Sequence, residues 1–151
     1  MATEIRPVTA EDFEAWLPLW QGYLAFYESD LPRERTDLTW SRILDPAFPI
    51  NCLVAQDGKA IVGFATFVTH PSTWLEVGDC YLEDLFVAPD RRGGGTGRAL
   101  IDAVADAARQ LGCERLYWTT QSGNDRARAL YDAIAGPSDI VRYRLDLTRQ
   151  G

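Results

Sequence analysis

Between Cys80 and Leu100 the chain reads as an apolar strand, a turn with glycine at 93, 94, 95 and 97, and the first turn of an amphipathic helix. Glycine has no Cβ, so such a turn can take positive φ and bring its amides close to a ligand. A helix that starts directly after it aims unpaired N–H groups and the positive end of its dipole at the same point, which favours phosphate oxygens. Arg91, Arg92 and Arg98 add formal charge. The stretch therefore reads as a place for an anion.

Two common phosphate loops do not fit. A Walker loop needs Gly-Lys-Ser/Thr, and the only lysine is Lys59. A dinucleotide fingerprint wants a third glycine where Arg98 stands. What remains is Arg92-x-x-Gly95-x-Gly97, after a strand ending in Val87-x-Pro89. This resembles the acetyl-CoA pyrophosphate loop of the GNAT superfamily of N-acetyltransferases. Tyr81-Leu-Glu-Asp-Leu-Phe-Val87 resembles the central strand of its diamine (spermidine/spermine) acetyltransferase branch. Asn124-x-x-Ala127-x-x-Leu130-Tyr131 resembles the superfamily's second cofactor motif.

The resemblance implies an α/β (α+β) fold, one acetyltransferase domain over residues 1–151, and a mixed, mostly antiparallel sheet of six to seven strands with about four helices. It implies that two strands splay and that acetyl-CoA enters the gap. Leu85, Phe86 and Val87 would pair with the pantetheine amides. Arg92, Gly93, Gly94, Gly95, Thr96, Gly97 and Arg98 would hold the pyrophosphate, and Asn124, Arg126, Ala127 and Tyr131 would complete the cofactor site. Tyr27, Glu28, Glu83 and Asp84 would meet a cationic acceptor. The diamine pattern breaks after Tyr131, where Asp-Ala-Ile-Ala-Gly-Pro replaces the usual basic residues and glycine. The acceptor is accordingly left open among polyamines, thialysine-like amino acids, aminoglycosides and protein lysines or N-termini, with small amines preferred. A non-catalytic acyl-CoA-binding module is the contrasting class, and a homodimer is implied by resemblance alone.

Along the chain, Thr3 to Pro7 reads as an edge strand. Thr9 caps a helix whose apolar face is Phe13, Trp16, Leu17, Trp20 and Leu24, with a kink at Pro18. Trp16, Trp20, Tyr23 and Phe26 read as core. Thr36 to Leu44 is a second short helix. Asn51–Gln56 and Ala60–Thr69 flank Asp57-Gly58 as a hairpin. Trp74 either borders the acceptor site or staples its loop. Leu100, Ala103, Val104, Ala107 and Leu111 share a helix face that Gly112 terminates. Arg115–Thr119 reads as a buried strand parallel to the one bearing Glu83, since a helix joins them. Asn124–Ala135 is a helix and Ile140–Leu147 a final strand.

A chain of 151 residues can bury roughly two thirds of its unfolded surface without disulfides or a metal. Cys52, Cys80 and Cys113 are odd in number and lie in apolar surroundings, so they read as free thiols, and no metal is expected. His70, the only histidine, reads as an exposed loop residue. No apolar run approaches the ~18 residues that span a membrane, and the N-terminus lacks a signal pattern, so the expected address is cytoplasmic. A net charge of −7 opposes nucleic-acid and anionic-membrane binding and favours cations. Arg91, Arg92, Arg98, Arg126 and Arg128 nevertheless gather at the cofactor motifs; Arg126 and Arg128 either meet phosphates or solubilise their helix.

Acetyl transfer to an amine needs a neutral nucleophile, a polarised carbonyl and a proton for the departing thiolate. A lysine-like amine is neutral in only about one molecule in 2500 at pH 7, a penalty of roughly 4.6 kcal/mol, so a base is useful. Glu83 is the candidate base, and strand alternation turns its neighbour Asp84 the other way. Tyr131 is the candidate acid for the thiolate, since a phenol stays protonated at neutral pH. A backbone N–H near Phe86 or Val87 would polarise the carbonyl.

Overall fold

The computed structural model describes residues 3–148. It divides into two compact units, the first ending at Trp118 and the second beginning at Thr119. The first carries β1 (Glu4–Pro7), α1 (Phe13–Phe26), α2 (Arg33–Leu44), β2 (Ile50–Asp57), β3 (Ala60–His70), β4 (Asp79–Val87), α3 (Thr96–Gln110) and β5 (Arg115–Tyr117); the second carries α4 (Asp125–Ala135). The strands form one sheet in the order β1-β2-β3-β4-β5, antiparallel as far as β4 and parallel between β4 and β5.

The mixed sheet and four helices match the expected class, but the described residues hold five strands rather than six to seven. The expected strand Ile140–Leu147 has no regular structure. Alternating side chains make a segment suited to a sheet, but they do not supply the second chain segment with which a ladder must form. β5 likewise ends at Tyr117 instead of Thr119 and is only partly buried.

Residue chemistry accounts for the helix ends. The Asp12 carboxylate accepts from the Thr9 backbone N–H and takes a two-pronged bond from Arg6 at 2.8 and 2.9 Å, tying the entry of α1 to β1. The Arg6 guanidinium holds the Asp12 carboxyl at about 2. α1 continues through Pro18 as a single element. Proline removes one backbone bond there, while buried Trp16, Leu19 and Trp20 on the same face hold the helix to the sheet. α2 starts three residues before the expected Thr36, and Thr36 instead accepts the buried Trp20 indole N–H at 3.0 Å.

The core between α1, α2 and the sheet is aromatic. Trp16 is fully buried, stacks on Trp20 at 5.3 Å and meets Trp40 at 4.7 Å and Phe64 at 6.2 Å. Across the sheet, α3 buries Leu100, Ile101, Val104 and Ala108. Gly63 lets β3 and β4 approach, because a Cβ there would lie 2.9 Å from the Phe86 carbonyl oxygen. β4 is thus clamped by β3 beside it and by helices on either face, which makes it a rigid base for side chains placed along it.

Candidate active site

β4 changes its pairing where it matters for chemistry. Against β3, Asp84 stands opposite Thr66 and Leu82 opposite Phe67, so Glu83 is an extra residue without a cross-strand partner. A bulge of this kind bends the strand and re-aims the side chain it carries. Glu83 is exposed and Asp84 is 9% exposed. The expected division between the two acids is therefore present, and Asp84 faces the core.

The other edge of β4 is open. Its ladder with β5 covers only Asp79, Cys80 and Tyr81, so Leu82 to Val87 pair with no strand on that side among the described residues. The open run includes Leu85, Phe86 and Val87 and leads into the glycine turn. Gly93 and Gly95 have φ of 87° and 86°, the left-handed region suited to glycine. The first helical bond of α3 runs from the Ala99 N–H to the Gly95 carbonyl. The amides of Thr96, Gly97 and Arg98 precede it and have no carbonyl four residues back inside the helix to take.

The arginines divide their work. Arg92 Nε donates to the Val87 carbonyl at 3.1 Å and its guanidinium lies 5.3 Å from the Phe86 ring centroid, fastening the turn to the end of β4. Arg91 pairs with Asp57 at the end of β2. Arg98 reaches Asp102 one turn along α3, at 3.5 Å, with both side chains about half exposed. An open strand edge, a cradle of positive-φ glycines and free helix-start amides fit a carrier with amides at one end and phosphates at the other.

On the α1 side, Tyr23 and Tyr27 meet edge to face at 5.0 Å, and Tyr23 packs on Phe64 and Phe86. The Tyr23 hydroxyl donates to the Glu83 backbone carbonyl at 3.4 Å. Burial raises both phenols above their ordinary value, and Asp84 adds to the rise in each. Burial also pushes the Asp84 carboxyl up to about 7, against the opposing pull of the Tyr23 hydroxyl, with Glu83 adding to the rise. Sequence reasoning placed Tyr23 in the core beside Trp20; its signal was a hydroxyl one helical turn before Tyr27 on the same face. Phe26, also read as core, is 54% exposed.

Glu28 closes α1 with φ of 54°. The Ser29 N–H bonds the Leu24 carbonyl and the Glu28 N–H the Ala25 carbonyl, a helix ending whose left-handed position is usually glycine. Trp74 is 85% exposed. His70 ends β3 and is exposed, with Nε2 2.7 Å from the Tyr117 hydroxyl. All three cysteines are free, and burial pushes the Cys52 and Cys80 thiols up to about 12, so neither offers a thiolate near neutrality. Among the described residues no group of three or more His, Cys, Asp or Glu side chains could hold a metal ion, and no helix is long and apolar enough to cross a membrane.

Within the second unit, Asn124 caps α4, its side-chain oxygen accepting from the Ala127 N–H at 3.4 Å and its amide reaching Thr120 Oγ1. Arg128 donates to the Ser122 carbonyl at 2.8 Å, closing the turn before the helix. Arg126 and Tyr131 lie on α4.

Residues 13–136 match the model of the acetyltransferase (GNAT) family. The chain belongs to that family. It is 33% identical over 142 residues to the D-amino-acid N-acetyltransferase HPA3 of Saccharomyces cerevisiae, covering 93% of this chain and 88% of the relative. It is 36% identical over 99 residues to the thialysine N-epsilon-acetyltransferase of Bos taurus, covering 60% of this chain and 57% of that protein. Among solved structures, a ribosomal-protein-alanine N-acetyltransferase from Brucella melitensis superposes with a TM-score of 0.77 at 25% identity, over 97% of this chain and 100% of that one. The protein is thus a GNAT acetyltransferase, and its acetyl donor is acetyl-CoA.

Proposed function

We propose that the chain acts as one acetyltransferase domain that moves an acetyl group directly from acetyl-CoA to the primary amine of a small cationic acceptor, a polyamine or an amino-acid-like amine. The observation that carries this reading is Glu83: an exposed carboxylate on a bulge of β4, in the stretch whose outer edge is open. Acetyl-CoA supplies the activated thioester carbonyl. Leu85, Phe86 and Val87 would align its amide-bearing arm along the open edge. The turn Arg92 to Arg98, with the start of α3, would hold its phosphates, and Asn124, Arg126 and Ala127 would contribute from α4. Glu83 takes a proton from the ammonium, directly or through water, making the amine nucleophilic. Tyr131 Oη donates a proton to the departing sulfur, and a β4 amide near Phe86 or Val87 stabilises the carbonyl oxygen as charge develops. Tyr27, Glu28 and the negative field of Asp84 favour a cation.

A small acceptor is supported by the relatives named for D-amino acids and thialysine. An aminoglycoside is the second reading, since a Klebsiella aerogenes aminoglycoside N(6')-acetyltransferase is 30% identical over 93% of this chain. The net charge of −7 disfavours nucleic acid and anionic membrane as partners, and action in the cytoplasm and a homodimer are proposed alongside, the latter from family resemblance.

The test is thiol release from acetyl-CoA against polyamines, thialysine, D-amino acids, aminoglycosides and a lysine peptide. A small amine should give the highest kcat/KM. No release with any amine, from folded protein that binds acetyl-CoA, would leave a binding module instead. Glu83→Gln should lower the rate most at acidic pH, where free amine is scarcest; an equal rate at every pH removes Glu83 as base. Tyr131→Phe should lower kcat by more than twofold at saturating acetyl-CoA, and a smaller change assigns the proton to another group.

A further inference from the structure

Ahead of the bulge, β4 carries a second cluster that the proposed reaction leaves unused. Tyr81, two residues before Glu83, forms with Tyr117 the last pair of the β4–β5 ladder. Their rings stack at 4.9 Å with 20° between the planes, and Tyr117 keeps 40% of its surface exposed. The Tyr117 hydroxyl lies 2.7 Å from His70 Nε2, and the other ring nitrogen, Nδ1, lies 2.8 Å from the Pro71 carbonyl oxygen. A carbonyl only accepts, so in the neutral imidazole Nδ1 carries the proton and Nε2 takes the Tyr117 O–H. The bond crosses β4, because His70 ends β3 opposite Asp79 whereas Tyr117 ends β5. It holds the phenol in one orientation where the ladder stops.

The order of groups along β4 says what that phenol faces. In the proposed reaction the phosphates lie at Arg92 to Arg98, the amide-bearing arm along Leu85 to Val87 and the reacting amine at Glu83. The next side chain on the Glu83 face is Tyr81, about 7 Å further along, with β5 about 5 Å to its side. Beyond burial and Asp84, Tyr81 adds to the rise in the Tyr27 phenol, so the stacked pair borders the α1 tyrosines. The part of the acceptor that does not react therefore meets Tyr81 and Tyr117. A phenol that donates its proton to an imidazole becomes richer in electrons, and the faces of tyrosine rings attract cations. Arg115, two residues before Tyr117, does not oppose this, because Asp79 neutralises it through two bonds of 2.8 Å.

We propose that Tyr117, held by His70, is a specificity-determining residue that takes a second ammonium group of the acceptor against its phenol ring while the reacting amine stands at Glu83. This rests on the reading of the acceptor as a small amine and selects, within that class, a diamine over a monoamine. His70 acts through Tyr117 as a positioning residue. Neither residue exchanges a proton or a bond with the acetyl donor or the reacting amine.

The test compares putrescine with n-butylamine, in which a methyl group replaces the second ammonium. At saturating acetyl-CoA, wild type should show a KM for putrescine about tenfold below that for butylamine, the order of a largely desolvated contact between a cation and a ring. Tyr117→Leu, which keeps an apolar side chain without a π-face, should remove most of that advantage, with kcat and butylamine KM changed by less than about twofold. His70→Ala should remove several-fold of the same advantage and should add nothing when combined with Tyr117→Leu, since it works through the ring.

A residue that only supported the ladder would weaken both amines alike, so equal rises in the two KM values in Tyr117→Leu overturn the proposal. So does a wild type with no preference for putrescine, and full additivity of the two substitutions overturns the part given to His70. If Tyr117→Leu does not fold, Tyr117→Phe, which keeps the stacked ring and loses the bond to His70, should match His70→Ala; an unchanged preference in both overturns the proposal. Calorimetric binding of the two amines to protein saturated with coenzyme A reads the same ratio without turnover. If no amine is acetylated but putrescine binds more tightly and Tyr117→Leu removes the difference, the proposed reaction fails and this site stands. If amines are acetylated with no difference between the two, the reaction stands and the site fails.

Discussion

At the scale of single residues, Glu28 is the position where conformation and chemistry pull apart. Its left-handed backbone suits glycine, and a residue with a Cβ gives up roughly 1–2 kcal/mol there. Glycine would recover most of that, less the backbone entropy it loses on folding. Glu28→Gly should therefore stabilise the protein by about 0.5–1 kcal/mol in urea unfolding while raising KM for a cationic acceptor. If stability rises and acceptor KM is unchanged, the carboxylate has no part in acceptor binding. The opposite facing of Glu83 and Asp84 could be read from β alternation, while their place in the site came from family resemblance. Tyr23 could not, because its hydroxyl matters only through a strand sixty residues away, and periodicity describes a helix face without saying what lies against it.

At the scale of elements, the glycine turn and α3 form the unit whose failure is easiest to isolate. A Cβ at Gly95 would meet nothing within 4 Å, so Gly95→Ala tests backbone conformation without a clash. Alanine resists the φ of 86°, at a cost of about 1 kcal/mol, and should turn the helix-start amides away from the phosphates. KM for acetyl-CoA should rise about tenfold, with acceptor KM changed less; equal rises in both would mean that the turn supports the fold rather than the phosphates. Local pattern foretold the strand, turn and helix from Cys80 to Leu111 because each signal is contained within a few neighbouring residues. It was less informative for β5 and for Ile140–Leu147, since the extent of a strand is decided by its ladder partner. The open edge of β4 past Tyr81 is such a feature, expected here from family resemblance and not from alternation.

For the molecule as a whole, two buried acids set opposite slopes of stability against pH. Asp12 is held at about 2 by Arg6, so its contribution is complete above an unfolded value near 4 and is lost as pH falls from about 4 to 2. Solvent screening of the pair leaves it about 1 kcal/mol. Asp84 is raised to about 7 by burial. Between about 4 and 7 the folded chain keeps a proton that the unfolded chain has released, so stability declines as pH rises through that window and stays low above it. The interval from about 4 to about 7 corresponds to roughly 4 kcal/mol. Together the two acids should place maximum stability near pH 4 to 5, acid of the usual range of about 5 to 8. Asp84→Asn should accordingly gain stability over wild type at about pH 8 and much less at about pH 4, where Asp84 is protonated in the folded chain. Urea unfolding at the two pH values checks this, and an equal gain at both would show that the ionised carboxylate is not what destabilises the fold.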